Sequence, residues 1–393
     1  MTQGATMTPY IYFDNAATSY PKPPEVYDYM LRFMLEAGGN PGRAGHRMAT
    51  GAEAMIAECR LALSRFFGLK EPRRCIFTLN CSDALNMAIK GVLRQGDHVV
   101  STVLEHNSIN RPLQRMSDEG FITLTRVAPA AKDSWQADEI VRAVTPKTRL
   151  VALTHCSNVT GVINPVAELK SALRAAGSPA LLLVDAAQTG GVVPLDMEAA
   201  QIDLLALAGH KGLYGPTGTG ALLLGSRVQE DALQFWREGG TGGDSRLPHQ
   251  PGELPHRLEG GTPNTMGIAG LLAGVRFLNS AGAGKALEHE REILKHVIGE
   301  LEGDARFTIH ATKDLARKVG ALSLTVKNRD PLEVAGVLDQ AFSIAARPGL
   351  HCAPYAHKHL GTFPNGTLRL SPGFFNTIEE AQRVVKALRE IAA

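Results

Sequence analysis

The chain has few cysteines and no way to pair them neatly. Five occur in 393 residues, an odd number with no Cys-x-x-Cys pair. That excludes a disulfide framework and a cysteine-rich zinc site, and no metal site is expected. Each thiol must be explained singly. Long apolar runs are also missing. None reaches the roughly 18 residues that a spanning helix needs. Residues 1–9 are polar and lack the apolar centre of a signal peptide. A cytoplasmic protein is therefore expected. Neither sign of charge dominates. The net charge of +2 creates no field that would draw nucleic acid or a membrane surface.

What remains is an ordinary globular composition, 44% hydrophobic and 20% charged, long enough for about two to three domains. Residues 23–37 read as an amphipathic helix opened by Pro23-Pro24. Residues 50–67 read as a second, with Thr50 as its cap. Strand-like runs follow at 75–79, 97–103, 121–127, 149–155, 180–184 and 203–207. Helical stretches at 82–94, 108–118, 136–144 and 165–176 lie between most of them. Residues 219–224 add a seventh strand, expected antiparallel. This rhythm predicts an α/β fold with a mostly parallel seven-stranded sheet and helices on both faces. Ligands on such sheets bind at the carboxyl ends of the strands. A long helical region at 263–302 leads to strands near 306–310, 319–326, 343–346 and 366–370, with helices at 331–341 and 377–391. The expected division is an N-terminal segment 1–22, a large domain 23–262 and a smaller α+β domain 263–393.

The most informative residues are an acid and a lysine at two strand ends. Asp185 closes the apolar run 180–184. Lys211 lies in Ala208-Gly209-His210-Lys211-Gly212, directly after the run 203–207. That pair suits pyridoxal 5'-phosphate: the lysine forms the Schiff base, and the acid keeps the ring nitrogen protonated. Separately, each residue is more often a loop lysine or a helix cap.

Other cofactor contacts are available nearby. Gln188 and Asn158 follow strands and can bond the ring hydroxyl. His106, in Leu104-Glu105-His106-Asn107, can stack on the ring face. Asn80-Cys81-Ser82-Asp83 opens a helix whose amides suit a phosphate, with Ser82 as cap and ligand. His210 is a second phosphate candidate. For the substrate, Arg369 in Thr367-Leu368-Arg369-Leu370 offers a fork of donors for an α-carboxylate. Cys352 stands in a Gly/Pro loop beside His351 and five residues after Arg347. Nearby positive charge would raise its thiolate fraction. Cys59 and Cys75 read as buried structural thiols.

These motifs resemble the class-V aminotransferase superfamily of fold type I, in its cysteine desulfurase and selenocysteine lyase branch. The matching stretches are Tyr12-Phe13-Asp14-Asn15-Ala16-Ala17-Thr18, Glu105-His106-Asn107, Val184-Asp185-Ala186-Ala187-Gln188, Gly209-His210-Lys211, Glu259-Gly260-Gly261-Thr262-Pro263-Asn264 and Arg347-Pro348-Gly349-Leu350-His351-Cys352. The resemblance implies that Cys352 becomes a persulfide and that Arg369 binds the substrate carboxylate. It implies that Thr262 reaches the phosphate of a neighbouring subunit in a homodimer. Asn15, and Arg43 and His46 in Asn40-Pro41-Gly42-Arg43-Ala44-Gly45-His46, would face the substrate. L-cysteine would yield L-alanine, with Lys211 moving the Cα proton, His106 shuttling a proton, and sulfur passing to an acceptor protein or reductant.

Four departures from the family pattern stand out. Ala208 replaces a serine or threonine that bonds the phosphate. Cys81 and Ser82 replace two threonines. Pro348 stiffens the cysteine loop, and that loop is short. Two other readings share most of these residues: a selenocysteine lyase, and another class-V reaction with Cys352 incidental. A pyridoxal phosphate-binding partner protein would not need the lysine, aspartate, cysteine and arginine together.

Overall fold

The structure is a computed structural model describing residues 10–42, 45–235, 237–241, 246, 248–282 and 284–393. Its centre is a seven-stranded sheet. The strands lie in the order Cys75–Thr78, Gly220–Leu224, Leu204–Ala208, Leu181–Asp185, Thr148–Thr154, His98–Thr102 and Thr123–Val127. The last five run parallel; Gly220–Leu224 pairs antiparallel with both of its neighbours. The middle strands are nearly continuous apolar runs because helices cover both sheet faces. Register aligns Thr154 with Asp185 and Asp185 with Ala206, so the parallel strands end at one edge. The chain then turns tightly through Gly209. A Cβ there would lie 2.2 Å from Thr219 Oγ1. Only glycine lets the lysine-bearing turn rest against the antiparallel strand.

A second sheet orders Arg347–Gly349, Thr367–Leu370, Leu322–Val326 and Phe307–His310, all antiparallel. The helices Lys285–Leu301, Pro331–Phe342 and Ile378–Ile391 share its core. Ile11 and Phe13 belong to this core too, and Ile11–Tyr12 pairs in parallel with Ile344–Ala345. The helix Thr265–Ala281 instead buries Ile268, Leu271, Leu272 and Val275 in the core of the large sheet. Apolar packing thus places the helix Thr265–Ala281 with the large sheet and ties Ile11 and Phe13 to the second core.

Local differences have local causes. The region 263–302 is two helices, Thr265–Ala281 and Lys285–Leu301, interrupted where Gly282 and Gly284 take positive φ. The second helix of the chain is Arg47–Phe66, capped by His46, whose ring accepts from Ala49 N at 3.3 Å; Thr50 lies inside it. Helix Cys81–Val92 is capped by Asn80, whose side chain accepts from Asp83 N at 2.9 Å, not by Ser82. The strand Arg347–Gly349 and the helix Pro354–Leu360 formed in a stretch whose Gly and Pro content reads as loop.

Candidate active site

At the carboxyl edge of the parallel strands lies a cavity of about 210 Å³. Lys211, Asp185, Gln188, Asn158, His106, Cys81, Ser82, His210, Cys352 and Arg369 all line it. The alternation of strands and helices brings them together, since each follows a strand or starts the next element.

Asp185 is buried, and its Oδ1 accepts from Ala187 N at 2.9 Å and from the Cys81 thiol at 3.4 Å. Its Oδ2 has no hydrogen-bond partner among the described residues, so one acceptor remains for a ring nitrogen. The Cys81 thiol is pushed well above the usual range, first by burial and then by Asp185. It is therefore a neutral donor to Asp185 rather than a phosphate ligand through its sulfur. Burial lowers the Lys211 ammonium, against the opposing pull of Asp185. The lysine backbone is held by Ser19 Oγ, 2.8 Å from its carbonyl.

His106 caps the helix Asn107–Asp118, and its Nδ1 accepts from Ser108 N at 3.1 Å. That bond leaves the proton of the neutral ring on Nε2. Burial lowers the imidazole, so the neutral ring is favoured. Just before it, Glu105 is wholly buried. Its carboxyl, bonded by Thr102 Oγ1 and Thr154 N, is pushed up to about 8 by burial. Glu105 thus ties together the ends of two neighbouring strands beneath His106.

The phosphate end is formed by the first turn of helix Cys81–Val92, with Ser82 Oγ 2.5 Å from Ser108 Oγ. His210 Nδ1 is buried without a partner among the described residues, and burial brings its ring down to about 4. An orphaned ring nitrogen, helix amides and two hydroxyls suit a phosphate. Together with Lys211 and the free oxygen of Asp185, they fit pyridoxal phosphate. Ala208 lines the same cavity and contributes no donor.

Opposite lies the second sheet. Arg369 is buried, donating to Asp14 Oδ1 at 2.9 Å and to the Asn158 carbonyl at 3.0 Å. Its Nε has no partner among the described residues. Arg347 stands across from it in register and also lines the cavity. Cys352 is exposed, and its loop is clamped from the large-domain side. Asn107 N donates to the Cys352 carbonyl at 2.7 Å, and Asn158 Nδ2 to the His351 carbonyl at 2.6 Å. The His351 ring does not supply the positive charge expected beside the thiol. It is buried and stacks on His357 at 5.5 Å. Burial and the nearby arginines bring it down to about 2.

Three expected residues lie elsewhere, and a fourth, Arg43, falls outside the described residues. His46 caps a helix. Asn15 bonds the Tyr12 and Ser371 carbonyls and Asn376, and lines a small adjoining cavity of about 30 Å³. Thr262 lines a separate cavity of about 390 Å³ with Gly218, Asn264 and Arg237. Sequence reasoning passed over Ser108, Glu105, Arg347 and Asp14 as site residues. Ser108, two residues after His106, could have been found from the helix start; the others needed the packing.

The family model described as aminotransferase class-V matches residues 11–384. A probable cysteine desulfurase of Methanothermobacter thermautotrophicus is 33% identical over 390 residues, covering 98% of this chain and 95% of its own. The apo structure of a cysteine desulfurase from Thermococcus onnurineus NA1 superposes with a TM-score of 0.90 at 32% identity, over 98% of this chain and 94% of that one. The cysteine desulfurase CsdA from Escherichia coli, in an S-sulfonic acid form, gives 0.86 at 26% identity, over 97% and 94%.

Proposed function

We propose that the chain, which belongs to the aminotransferase class-V family, is a cysteine desulfurase that converts L-cysteine to L-alanine and keeps the sulfur on Cys352. One observation carries the reading: Lys211, Asp185, Arg369 and Cys352 line a single cavity. Pyridoxal phosphate, when bound, supplies the electron sink for a carbanion at the substrate Cα. The chain's own residues would do the rest. Asp185 holds the ring-nitrogen proton with its free oxygen. Ser82, His210 and the amides of the first helical turn hold the phosphate. Arg369 binds the α-carboxylate. Lys211, whose ammonium is lowered by burial, takes the Cα proton. His106 offers the proton on Nε2. The Cys352 thiolate attacks the substrate sulfur. A sulfur–sulfur bond forms, the carbon–sulfur bond breaks, and the carbon skeleton takes up protons and leaves as alanine.

The clamp on the Cys352 loop favours a dedicated acceptor that comes to the cysteine. Thr262 lies away from its own cavity, which supports a homodimer in which it serves a neighbour's phosphate. Five unpaired thiols suit a reducing compartment, and the reading places the protein in the cytoplasm.

Intact-protein mass after exposure of the holoenzyme to L-cysteine tests the reading. Wild type should gain the mass of one sulfur atom per chain and release alanine. Cys352→Ser should gain nothing. A cofactor-loaded wild type that binds L-cysteine yet gains no sulfur would assign the site to another class-V reaction.

A further inference from the structure

Both peptides that flank Lys211 are held by residues of the segment 18–22, which follows the strand Ile11–Tyr12. The His210 carbonyl accepts from Lys22 Nζ at 2.7 Å, from Ser19 N at 3.1 Å and from Thr18 Oγ1 at 3.1 Å. The Lys211 carbonyl accepts from Ser19 Oγ at 2.8 Å. Lys22 Nζ also lies 2.7 Å from Ser19 Oγ. An ammonium only donates, so Ser19 Oγ accepts from Lys22 and keeps its single proton for a carbonyl. The Lys211 carbonyl is nearer to it than the His210 carbonyl, which stands at 3.2 Å and already accepts from Lys22. The result is a directed chain from the Lys22 ammonium, through the buried Ser19 hydroxyl, to the carbonyl of Lys211. Among the described residues no carboxylate pairs with Lys22, whose ammonium donates only to Ser19 and His210. Burial lowers that ammonium to about 8, which leaves it charged at neutral pH. A cation drawn partly out of water without a counter-charge costs stability, and these bonds are what it makes there.

We propose that Lys22 is a positioning residue for the reaction: with Ser19 it fixes the peptide planes on both sides of Lys211, and with them the direction of the Lys211 side chain. The inference rests on the reading of Lys211 as the cofactor-bearing lysine that takes the Cα proton. The φ and ψ of a residue are its two soft backbone rotations, and they set where its side chain starts. For Lys211 they are the rotations that relate the His210–Lys211 and Lys211–Gly212 peptides. Those are the two peptides whose carbonyls the chain holds. The turn runs from Gly209 to Gly212, and glycines at its ends add little stiffness of their own. One amine must serve both the cofactor and the substrate Cα from one fixed backbone. A misplacement on the order of 1 Å at such a group can cost about a hundredfold in rate. Lys22 is absent from the wall of the active cavity, so it acts only through Ser19 and the two carbonyls.

The test uses the holoenzyme in four variants: Lys22→Met, Ser19→Ala, the two combined, and Lys22→Arg. Two quantities are read, alanine release from L-cysteine and the visible circular dichroism of the bound cofactor, which reports how its ring sits against Lys211. In Lys22→Met, kcat should fall about tenfold or more. KM should stay near the wild-type value, because Arg369 stands on the other sheet. The dichroism per bound cofactor should change as well. Lys22→Arg keeps the charge and the donors and should lie closer to wild type than Lys22→Met. Because Ser19 relays the effect of Lys22, the double variant should lose less than the product of the two single losses. A lower thermal midpoint with kcat and dichroism unchanged would reduce Lys22 to a brace for the fold and overturn the proposal. Multiplying losses in the double variant would overturn it too. If Lys22→Met does not fold, Ser19→Ala decides alone: wild-type kcat and dichroism there would sink the chain. If wild type makes no alanine from L-cysteine, the desulfurase reading fails on its own, while the dichroism still decides the role of Lys22.

Discussion

At the scale of single residues, the active cavity depends on which donors each strand end supplies. Ala208 is the clearest gap. It is buried in the cavity wall, one strand-end position from the lysine turn, and has no hydroxyl. Restoring one with Ala208→Ser should tighten cofactor binding by about 1 kcal/mol, the net worth of an ordinary hydrogen bond. Equilibrium dialysis of pyridoxal phosphate checks this, and unchanged affinity would mean that Ser82, Ser108 and His210 already satisfy the phosphate. Residue types were readable where chemistry demands them. A lysine and an aspartate closing neighbouring strands have few other joint uses, so Lys211 and Asp185 stood out. Asp14, Arg347 and Glu105 did not. Their importance comes from the groups packed beside them: Asp14 and Glu105 are bonded to residues 355 and 49 positions away, and Arg347 faces Arg369 across the strands, 22 positions away. Cys81 shows the converse. Its place at the helix start was legible, but the aim of its thiol at Asp185 was not.

At the scale of elements, the loop carrying Cys352 is built by close backbone approach. Gly366, with φ of +79°, sits so that an added Cβ would lie 2.1 Å from the Gly349 carbonyl oxygen. Gly349 ends the strand that leads into His351 and Cys352, both in the left-handed region. Gly366→Ala should therefore cost about 1–2 kcal/mol for the backbone conformation alone, and more for the overlap. The thermal midpoint should fall. Sulfur loading of Cys352 should fall with it, while cofactor absorbance persists because the large sheet is untouched. Equal loss of cofactor would show that the two sheets do not respond separately. The same stretch marks the limit of pattern reading. Helices with clear periodicity were located to within a few residues. The strand Arg347–Gly349 and helix Pro354–Leu360 were not, because Pro and Gly there serve a tight turn and a helix start rather than a loop. Caps were misplaced for a related reason: His46 and Asn80 compete with Thr50 and Ser82 for the same role, and only side-chain direction decides.

At the scale of the molecule, the buried ionisable groups set opposing pH dependences. His155, His210 and His357 are lowered by burial to about 4, and His351 to about 2. A histidine lowered in the native state stabilises it fully above its ordinary value of 6.5 and loses that stabilisation as pH falls through the native value. Glu105 and Glu290 are raised by burial to about 8 from an ordinary 4.5. Their contribution is complete below 4.5 and is lost as pH rises toward 8. Each proton is worth about 1.4 kcal/mol per pH unit. Between about pH 4.5 and 6.5 the four histidines outweigh the two glutamates, so stability should climb. From about pH 6.5 to 8 the histidines are silent and the glutamates alone act, so stability should decline. Above that, Lys22 and Lys318, both lowered to about 8, begin to act with the opposite sign. Calorimetry of the cofactor-free protein should thus find its highest thermal midpoint near pH 6.5. Glu105→Gln combined with Glu290→Gln should flatten the decline toward pH 8 while leaving the acid limb in place. A decline that survives both substitutions would mean that these carboxyls are ionised in the native protein at neutral pH, and that their three backbone and hydroxyl donors, Thr102, Thr154 and Gly320, outweigh burial.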